Sequence, residues 1–404
     1  MTSKTEFGSK ISSLPALAES LKGRLNGLIL CLSYSWGGLE QVAAKDALDL
    51  GRLNINIKVL CLEGSPIHTN LASHKEVSVI PLPFRPRNFF DLKLKSELFR
   101  QLDLGVNLIH THQTSLLGSI VPWLWSKPNV ALFATRHILN NHDKKDFFHR
   151  LLYSRVDYLT VVSETLKRNV QETHAIRERR VKVIHLGLDF EDFDPAQIDP
   201  TRQRALWEAD EGTLVIGLVG RIDPAKGQGT FIQAAAGLIK NDSTKRRIKF
   251  VIVGEETLGS SSTYLEELKQ MTQQFGLEKS VVFAGFQKNI PEIMRAFDVF
   301  VMPSRQEAFG LVAIEAMAME CAVVISSGGS ADEIVGSREQ FGLKMRPEDA
   351  FDLQRQLRYL IEHPTLRKEM GQKARVHVLA NYDRKMRLAK ILSLYHQALR
   401  RFKA

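Results

Sequence analysis

Short apolar runs alternate with helix-forming segments along nearly the whole chain, and this alternation limits the fold more than any other feature. In the second half, a strand over Leu214–Val219 is followed by a helix over 230–239 and a strand over 249–253. A helix over 264–275 and strands over 281–283 and Val299–Met302 come next, then a helix over 311–319 and a strand over 321–326. The first half has strand-like runs over 28–33, 57–62, 77–82, 108–112 and 130–137, and two more over 158–164 and 181–189 close it. Near-continuous Val, Ile and Leu in such runs belong to strands buried on both faces, so the pattern predicts parallel sheets with helices on both sides. At 404 residues the chain exceeds one ordinary core. Two doubly wound α/β domains are therefore expected, residues 1–190 and 191–384, divided at the polar run 191–201 with its Pro195 and Pro200.

Ligands on open parallel sheets bind beyond the carboxyl ends of the strands, so the residues that follow each strand are the candidates for chemistry. After Val299–Met302 comes PSRQEAFGLVAIEAMA, a turn with Glu307, Phe309 and Gly310 leading into a helix that starts at Leu311 and carries Glu315. The free N–H groups and positive dipole end of that helix suit a phosphate, and Gly310 lets a ligand approach the backbone. Glu315, flanked by Ile314 and Ala316, needs hydrogen-bond donors if it is covered, and sugar hydroxyls are suitable ones. Taken singly, either Glu reads as a solvated surface residue. After Leu214–Val219 comes Gly220-Arg221-Ile222-Asp223-Pro224-Ala225-Lys226-Gly227, where a planar fork and a point charge can converge on a diphosphate.

In the first half, Ser35-Trp36-Gly37-Gly38-Leu39-Glu40 joins the first strand to a helix; Gly-Gly alone ordinarily marks a turn. The run LIHTH puts His110 and His112 on one side of a strand, without a third ligand at metal-binding spacing. The strand over 130–137 ends in Arg136-His137. Asp192-Phe193-Asp194 sits in a linker-like stretch and reads as solvated acid rather than as a metal motif.

Together these motifs resemble those of family 4 glycosyltransferases, retaining enzymes of the GT-B fold that use nucleotide-sugar donors and whose signature is Glu, seven residues, Glu. The resemblance covers most of the chain. It implies two Rossmann-like domains facing each other across a cleft, with the C-terminal helix 385–404 packing back on the first. It implies that Glu307 contacts the donor sugar, that Glu315 holds the ribose, and that Arg221 and Lys226 clamp the diphosphate. Gly37 and Gly38 would approach that diphosphate, and Glu40 would lie nearer the acceptor. His112 would point at the sugar and its departing phosphate, with His110 in support, while Phe286 borders the base. Phe309, Gly310 and Leu311 complete the donor site. The stretch His185-Leu186-Gly187 departs from the family's Asn-Gly-Val-Asp turn. The donor is a substrate, UDP-sugar favoured over GDP-sugar, and neither a cofactor nor a metal is implied. A catalytically silent nucleotide-sugar-binding protein with the same fold is the alternative.

The net charge of +10 is concentrated before residue 190, where 25 Lys and Arg face 17 Asp and Glu. Such a half suits a phosphorylated or lipid-linked sugar acceptor, or an anionic membrane surface. Nucleic acid is least supported, because no recognised binding motif accompanies the charge. Phe84, Phe89, Phe90 and Phe99 interleave with Arg85, Arg87, Lys93, Lys95 and Arg100, and a second patch runs through Lys144-Lys145-Asp146-Phe147-Phe148-His149-Arg150. Each is either a membrane-facing surface or an amphipathic helix packed inward. No apolar run reaches the ~20 residues of a membrane span, and the N-terminus lacks the apolar core of a signal peptide. Cys31, Cys61 and Cys321 read as reduced core residues. A cytoplasmic location follows, with peripheral association at the inner face of the cytoplasmic membrane compatible with it.

Overall fold

The computed structural model describes residues 14–86, 91–240, 246–256 and 263–402. They form two compact units, the first running to Gly187 and resuming at Arg384, the second spanning Leu188–Asp383. The first holds a parallel sheet of β1 (Asn26–Cys31), β2 (Asn56–Leu62), β3 (Ser78–Leu82), β4 (Leu108–Thr111), β5 (Ala131–Arg136), β6 (Tyr158–Val161) and β7 (Val181–Val183). Their spatial order is β3-β2-β1-β4-β5-β6-β7. Leu28, Ile29, Leu30 and Cys31 on β1 are all buried, as a strand covered on both faces requires. The helix Gly38–Arg52 follows, and the Glu40 carboxylate accepts the Gly37 N–H at its start, 2.9 Å away.

The helix Arg384–Arg400 completes this unit. Leu388, Ile391, Leu392 and Tyr395 join one apolar cluster with Ile29, Ala43, Ala47 and Val59. Two forked ion pairs fasten it to the helix Gly38–Arg52. Arg384 reaches Asp49 at 2.5 and 2.6 Å, and Arg387 reaches Asp46 at 2.6 and 3.1 Å.

The second unit holds β8 (Leu214–Val219), β9 (Ile248–Val253), β10 (Val281–Gly285), β11 (Val299–Met302), β12 (Ala322–Ser326) and β13 (Leu343–Met345). Their order is β10-β9-β8-β11-β12-β13, again all parallel. Each sheet reverses its winding once, between β1 and β4 and between β8 and β11. At that point the loops on neighbouring strands diverge and leave a crevice.

The strand expected over 181–189 stops at Val183. Leu188 instead donates its N–H to Tyr382 O at 2.8 Å, within the second unit. The acidic stretch near residue 193 is also part of that unit: Phe193 is buried, its carbonyl accepts from Arg375 at 2.7 Å, and Asp194 lies 3.8 Å from the same guanidinium.

Candidate active site

In the second unit, the loops after β8 and β11 are joined at the crevice. Asp223 caps the turn Pro224–Lys226 by accepting the Ala225 N–H at 2.9 Å. Gly227 has φ 76°, and a Cβ there would lie 2.4 Å from Pro303 O, so the two loops touch backbone to backbone. Arg305 N–H donates to Ala225 O at 2.9 Å. Above this joint, Lys226 Nζ donates to Glu307 Oε2 at 2.8 Å, with about a third of the lysine side chain and a fifth of the glutamate exposed. Arg221, on the same loop, is more exposed and turns to Asp223 Oδ2 at 2.7 Å. The two cations of the expected clamp thus each hold a carboxylate. A partly exposed ion pair of this kind contributes roughly 1 kcal/mol or less, so an incoming anion can displace it cheaply.

The Glu307 loop is held from its other side as well. Glu307 N–H donates to Gly328 O at 3.3 Å and Ser330 N–H to Glu307 O at 3.2 Å. Ser330 Oγ donates to Phe309 O at 2.6 Å. Gly329 has φ 103°, and a Cβ on it would lie 2.0 Å from Glu307 O. Gly328-Gly329 therefore serves as a backbone brace for Glu307. Gly310, with φ 85°, caps the helix Leu311–Ala318.

Phe309 departs from the expectation. Its ring is buried and packs edge-on against Tyr382, with ring centres 5.7 Å apart, so what it offers a ligand is main chain. Leu311 and Glu315 are partly buried on the helix, and Val312 lines a small cleft together with Lys226 and Glu307. Phe286 is exposed just beyond β10.

In the first unit the crevice is packed with aromatic and ionic groups. Gly37 and Gly38 are exposed, and a Cβ on Gly38 would meet nothing within 4 Å. His112 is buried, its ring stacked 4.6 Å from His110 and 5.5 Å from His137. Its Nδ1 lies 3.3 Å from His137 Nε2. Its Nε2 has no hydrogen-bond partner among the described residues and is 3.8 Å from Asp46 Oδ2. His112, which the resemblance points at the donor sugar and its departing phosphate, is thus enclosed by His110, His137 and Asp46 rather than presented to a ligand. His110 bonds Tyr395 Oη at 2.6 Å and Thr135 Oγ1 at 2.7 Å. Burial holds His110 down at about 4 and His137 at about 3, and drives His112 well below the ordinary histidine range. All three rings are neutral at pH 7. Arg136 is buried and donates to Thr114 Oγ1 at 3.0 Å.

Sequence reasoning missed Asp46, which stands hundreds of residues from Arg387 and Tyr395 on the last helix, those two residues themselves, and the bracing role of Gly328-Gly329. The cysteines are buried and unpaired, and desolvation pushes the Cys61 thiol up to about 12, which leaves it inert. Among the described residues no cluster of three or more His, Cys, Asp or Glu could hold a metal ion.

The two aromatic and basic patches differ. In the first, Lys93 sits over Phe84 and Lys127 over Phe99, at 5.6 and 5.1 Å, while Leu94 and Leu98 are buried, as in a helix packed inward. Arg87, Phe89 and Phe90 lie outside the described residues. In the second, the helix Phe147–Arg155 exposes Phe147 by 82%, Phe148 by 40% and Leu151 by 42%. No described helix is long and apolar enough to cross a membrane.

Comparison with known proteins agrees with this arrangement. Residues 36–192 match the model for Glycosyltransferase Family 4, and residues 199–377 that for Glycosyl transferases group 1. A D-inositol 3-phosphate glycosyltransferase of Saccharomonospora viridis is 25% identical over 91% of this chain and 90% of its own length. A UDP-Gal:alpha-D-GlcNAc-diphosphoundecaprenol alpha-1,3-galactosyltransferase of Escherichia coli is 25% identical over 78% of this chain and 82% of its own. The structure of Anabaena HepE in complex with UDP and glucose superposes with a TM-score of 0.77 at 22% identity, over 92% of this chain and 100% of that one. With two matching models that take up most of its length, on two parallel sheets each wound about one switch point, the chain belongs to the family 4 glycosyltransferases of the GT-B fold.

Proposed function

We propose that the protein transfers a hexose-type sugar, with retention of configuration, from a nucleotide-diphosphate sugar to a hydroxyl of a phosphorylated or lipid-linked acceptor. The observation that carries this reading is the 2.8 Å bond from Lys226 Nζ to Glu307 Oε2, made between loops on either side of the β8/β11 switch point. On donor binding, the diphosphate takes Lys226 and Arg221 from their carboxylates. Glu307 is then released to accept from sugar hydroxyls, and Glu315 accepts from the ribose. Negative charge grows on the leaving diphosphate as the glycosidic bond breaks. Lys226, Arg221 and the N-terminus of the helix Leu311–Ala318 stabilise it, and one well-placed donor of this kind can contribute about 3 kcal/mol. These fixed cations perform the task a divalent metal would otherwise perform. Gly37 and Gly38 are assigned to the diphosphate from the first unit.

Retention is assigned to attack from the face of the leaving group, without a glycosyl-enzyme. A sugar trapped covalently on the protein would overturn that step. UDP is favoured as the nucleotide, supported by the UDP bound in the Anabaena neighbour. Acceptor classes follow the relatives, one acting on an inositol phosphate and one on a diphosphoundecaprenol-linked sugar. Thermal-shift titration with UDP-, GDP- and ADP-sugars is the direct test. UDP-sugars should stabilise the protein and Lys226→Ala should lose that stabilisation; an unchanged shift would remove the clamp assignment. Release of UDP from a UDP-sugar during incubation separates an enzyme from a silent binder.

The exposed start of the helix Phe147–Arg155, with Lys145 and Arg150 beside it, is assigned to peripheral contact with an anionic membrane. Phe147→Ser should reduce co-sedimentation with phosphatidylglycerol vesicles and leave the free energy of unfolding within about 0.5 kcal/mol of the parent. Equal co-sedimentation would reject the assignment.

A further inference from the structure

A cavity of about 450 Å³ opens in the first unit, lined by Tyr158, Arg179, Arg180 and Arg401. It lies at the amino ends of the strands: Tyr158 is the first residue of β6, and Arg179 and Arg180 close the short turn Glu178–Arg180 that enters β7. The loops assigned to sugar transfer lie at the opposite, carboxyl edge of the sheet. We propose that this cavity is a second anion site that binds a diphosphate or two closely spaced phosphate groups, separate from the donor site.

Two segments distant in sequence supply its cations. Arg180 is fixed by donating to Ser154 O at 2.7 Å and Val156 O at 2.9 Å, at the end of the helix Phe147–Arg155. Arg401, just past the helix Arg384–Arg400, lies over the Tyr158 ring at 5.4 Å and donates to its Oη at 3.3 Å. Arg179 is exposed at the rim. The nearby acids do not balance this charge. Asp157 lies 3.5 Å from Arg155 and 3.7 Å from Arg401, and one of its oxygens already accepts the Leu132 N–H at 2.9 Å. Glu178 is 3.9 Å from Lys167. Arg177 adds a further positive charge to the same turn. Burial holds Arg180 below the usual arginine range, and the charges of Arg177, Arg401 and Arg179 add to that effect while Asp157 opposes it.

Like charges held together at a cavity lose their mutual repulsion when an anion enters. Guanidinium forks match the several oxygens of a phosphate better than a single carboxylate does. The cavity volume exceeds what one carboxylate would fill. The same chemistry can come from a soluble diphosphate or from phosphate headgroups of a lipid.

The test uses the full chain carrying Lys226→Ala, which disables the proposed donor clamp, titrated calorimetrically with inorganic pyrophosphate. One pyrophosphate should still bind, and adding Arg179→Ala and Arg401→Ala should weaken it by about tenfold or more. Arg180 is kept because it secures helix carbonyls. Absence of binding in the Lys226→Ala protein, or equal affinity after the two further substitutions, would overturn the site. Phosphatidylcholine vesicles with and without phosphatidic acid then identify the source. Co-sedimentation that falls with Arg179→Ala and Arg401→Ala assigns the phosphate to a lipid headgroup, and unchanged co-sedimentation assigns it to a soluble ligand.

Discussion

The crevices at the two switch points are built from similar residue types and used in opposite ways. At β8/β11 the charged pair Lys226 and Glu307 is partly open to solvent and belongs to loops. At β1/β4 the charged pair Asp46 and Arg387 is buried, each side chain only 7% exposed, and belongs to helices. An exposed pair can exchange partners at little cost, whereas a buried pair that loses one member leaves a charge stranded. The lesson is that burial distinguishes a polar group available to a ligand from one that holds the fold together. His112, legible as a ligand from its position after β4, falls on the structural side of that line.

The contrast is most directly broken at Arg387. Arg387→Ala should destabilise the protein by about 3–5 kcal/mol, because Asp46 is left buried and unpaired; a denaturant midpoint little changed from the parent would show that the first crevice is not locked. Lys226→Ala should do the reverse, lowering kcat/KM by on the order of a hundredfold while costing stability roughly 1 kcal/mol or less. Comparable losses in both measurements would erase the distinction. Protonation offers a gentler probe. His110 and His137 are neutral in the fold down to about 4 and 3, while in the unfolded chain they protonate below about 6.5. The unfolded state therefore binds more protons in that window, and stability falls as pH is lowered. Between pH 6.5 and 5 the loss should be on the order of 2 kcal/mol for His110 alone. Stability that is flat over this range would mean that the histidine stack is hydrated. The smallest effect is expected at Gly310, where φ is 85° and a Cβ would meet Met302 Cε at 2.9 Å. Gly310→Ala should cost about 1 kcal/mol of stability, and no measurable loss would indicate that the Glu307 loop tolerates rearrangement.

Both sheets were legible from apolar runs, because strands covered on both faces leave an almost unbroken signal. β13 escaped notice at three residues, too short for periodicity to register. In the second unit Arg221, Lys226 and Glu307 could be picked out because loops after strands are where glycine, proline and charge coincide. What spacing could not supply was direction. Phe309 and Gly310 are adjacent in the sequence, yet the ring of one turns into the protein while the other caps a helix. Nor could it supply partners such as Asp46 and Arg387, which pair across 341 residues.

The bridge between Leu188 and Asp383 places the start and finish of the second unit side by side. That unit is thus a continuous insert within a host formed from two separate pieces of chain. During synthesis the insert can finish folding while its host still lacks the helix Arg384–Arg400, so of the two units the one that begins to emerge first is sealed last. A nascent chain halted before Arg384 would carry a finished second unit joined to a first one whose Asp46 and Asp49 still lacked their arginines.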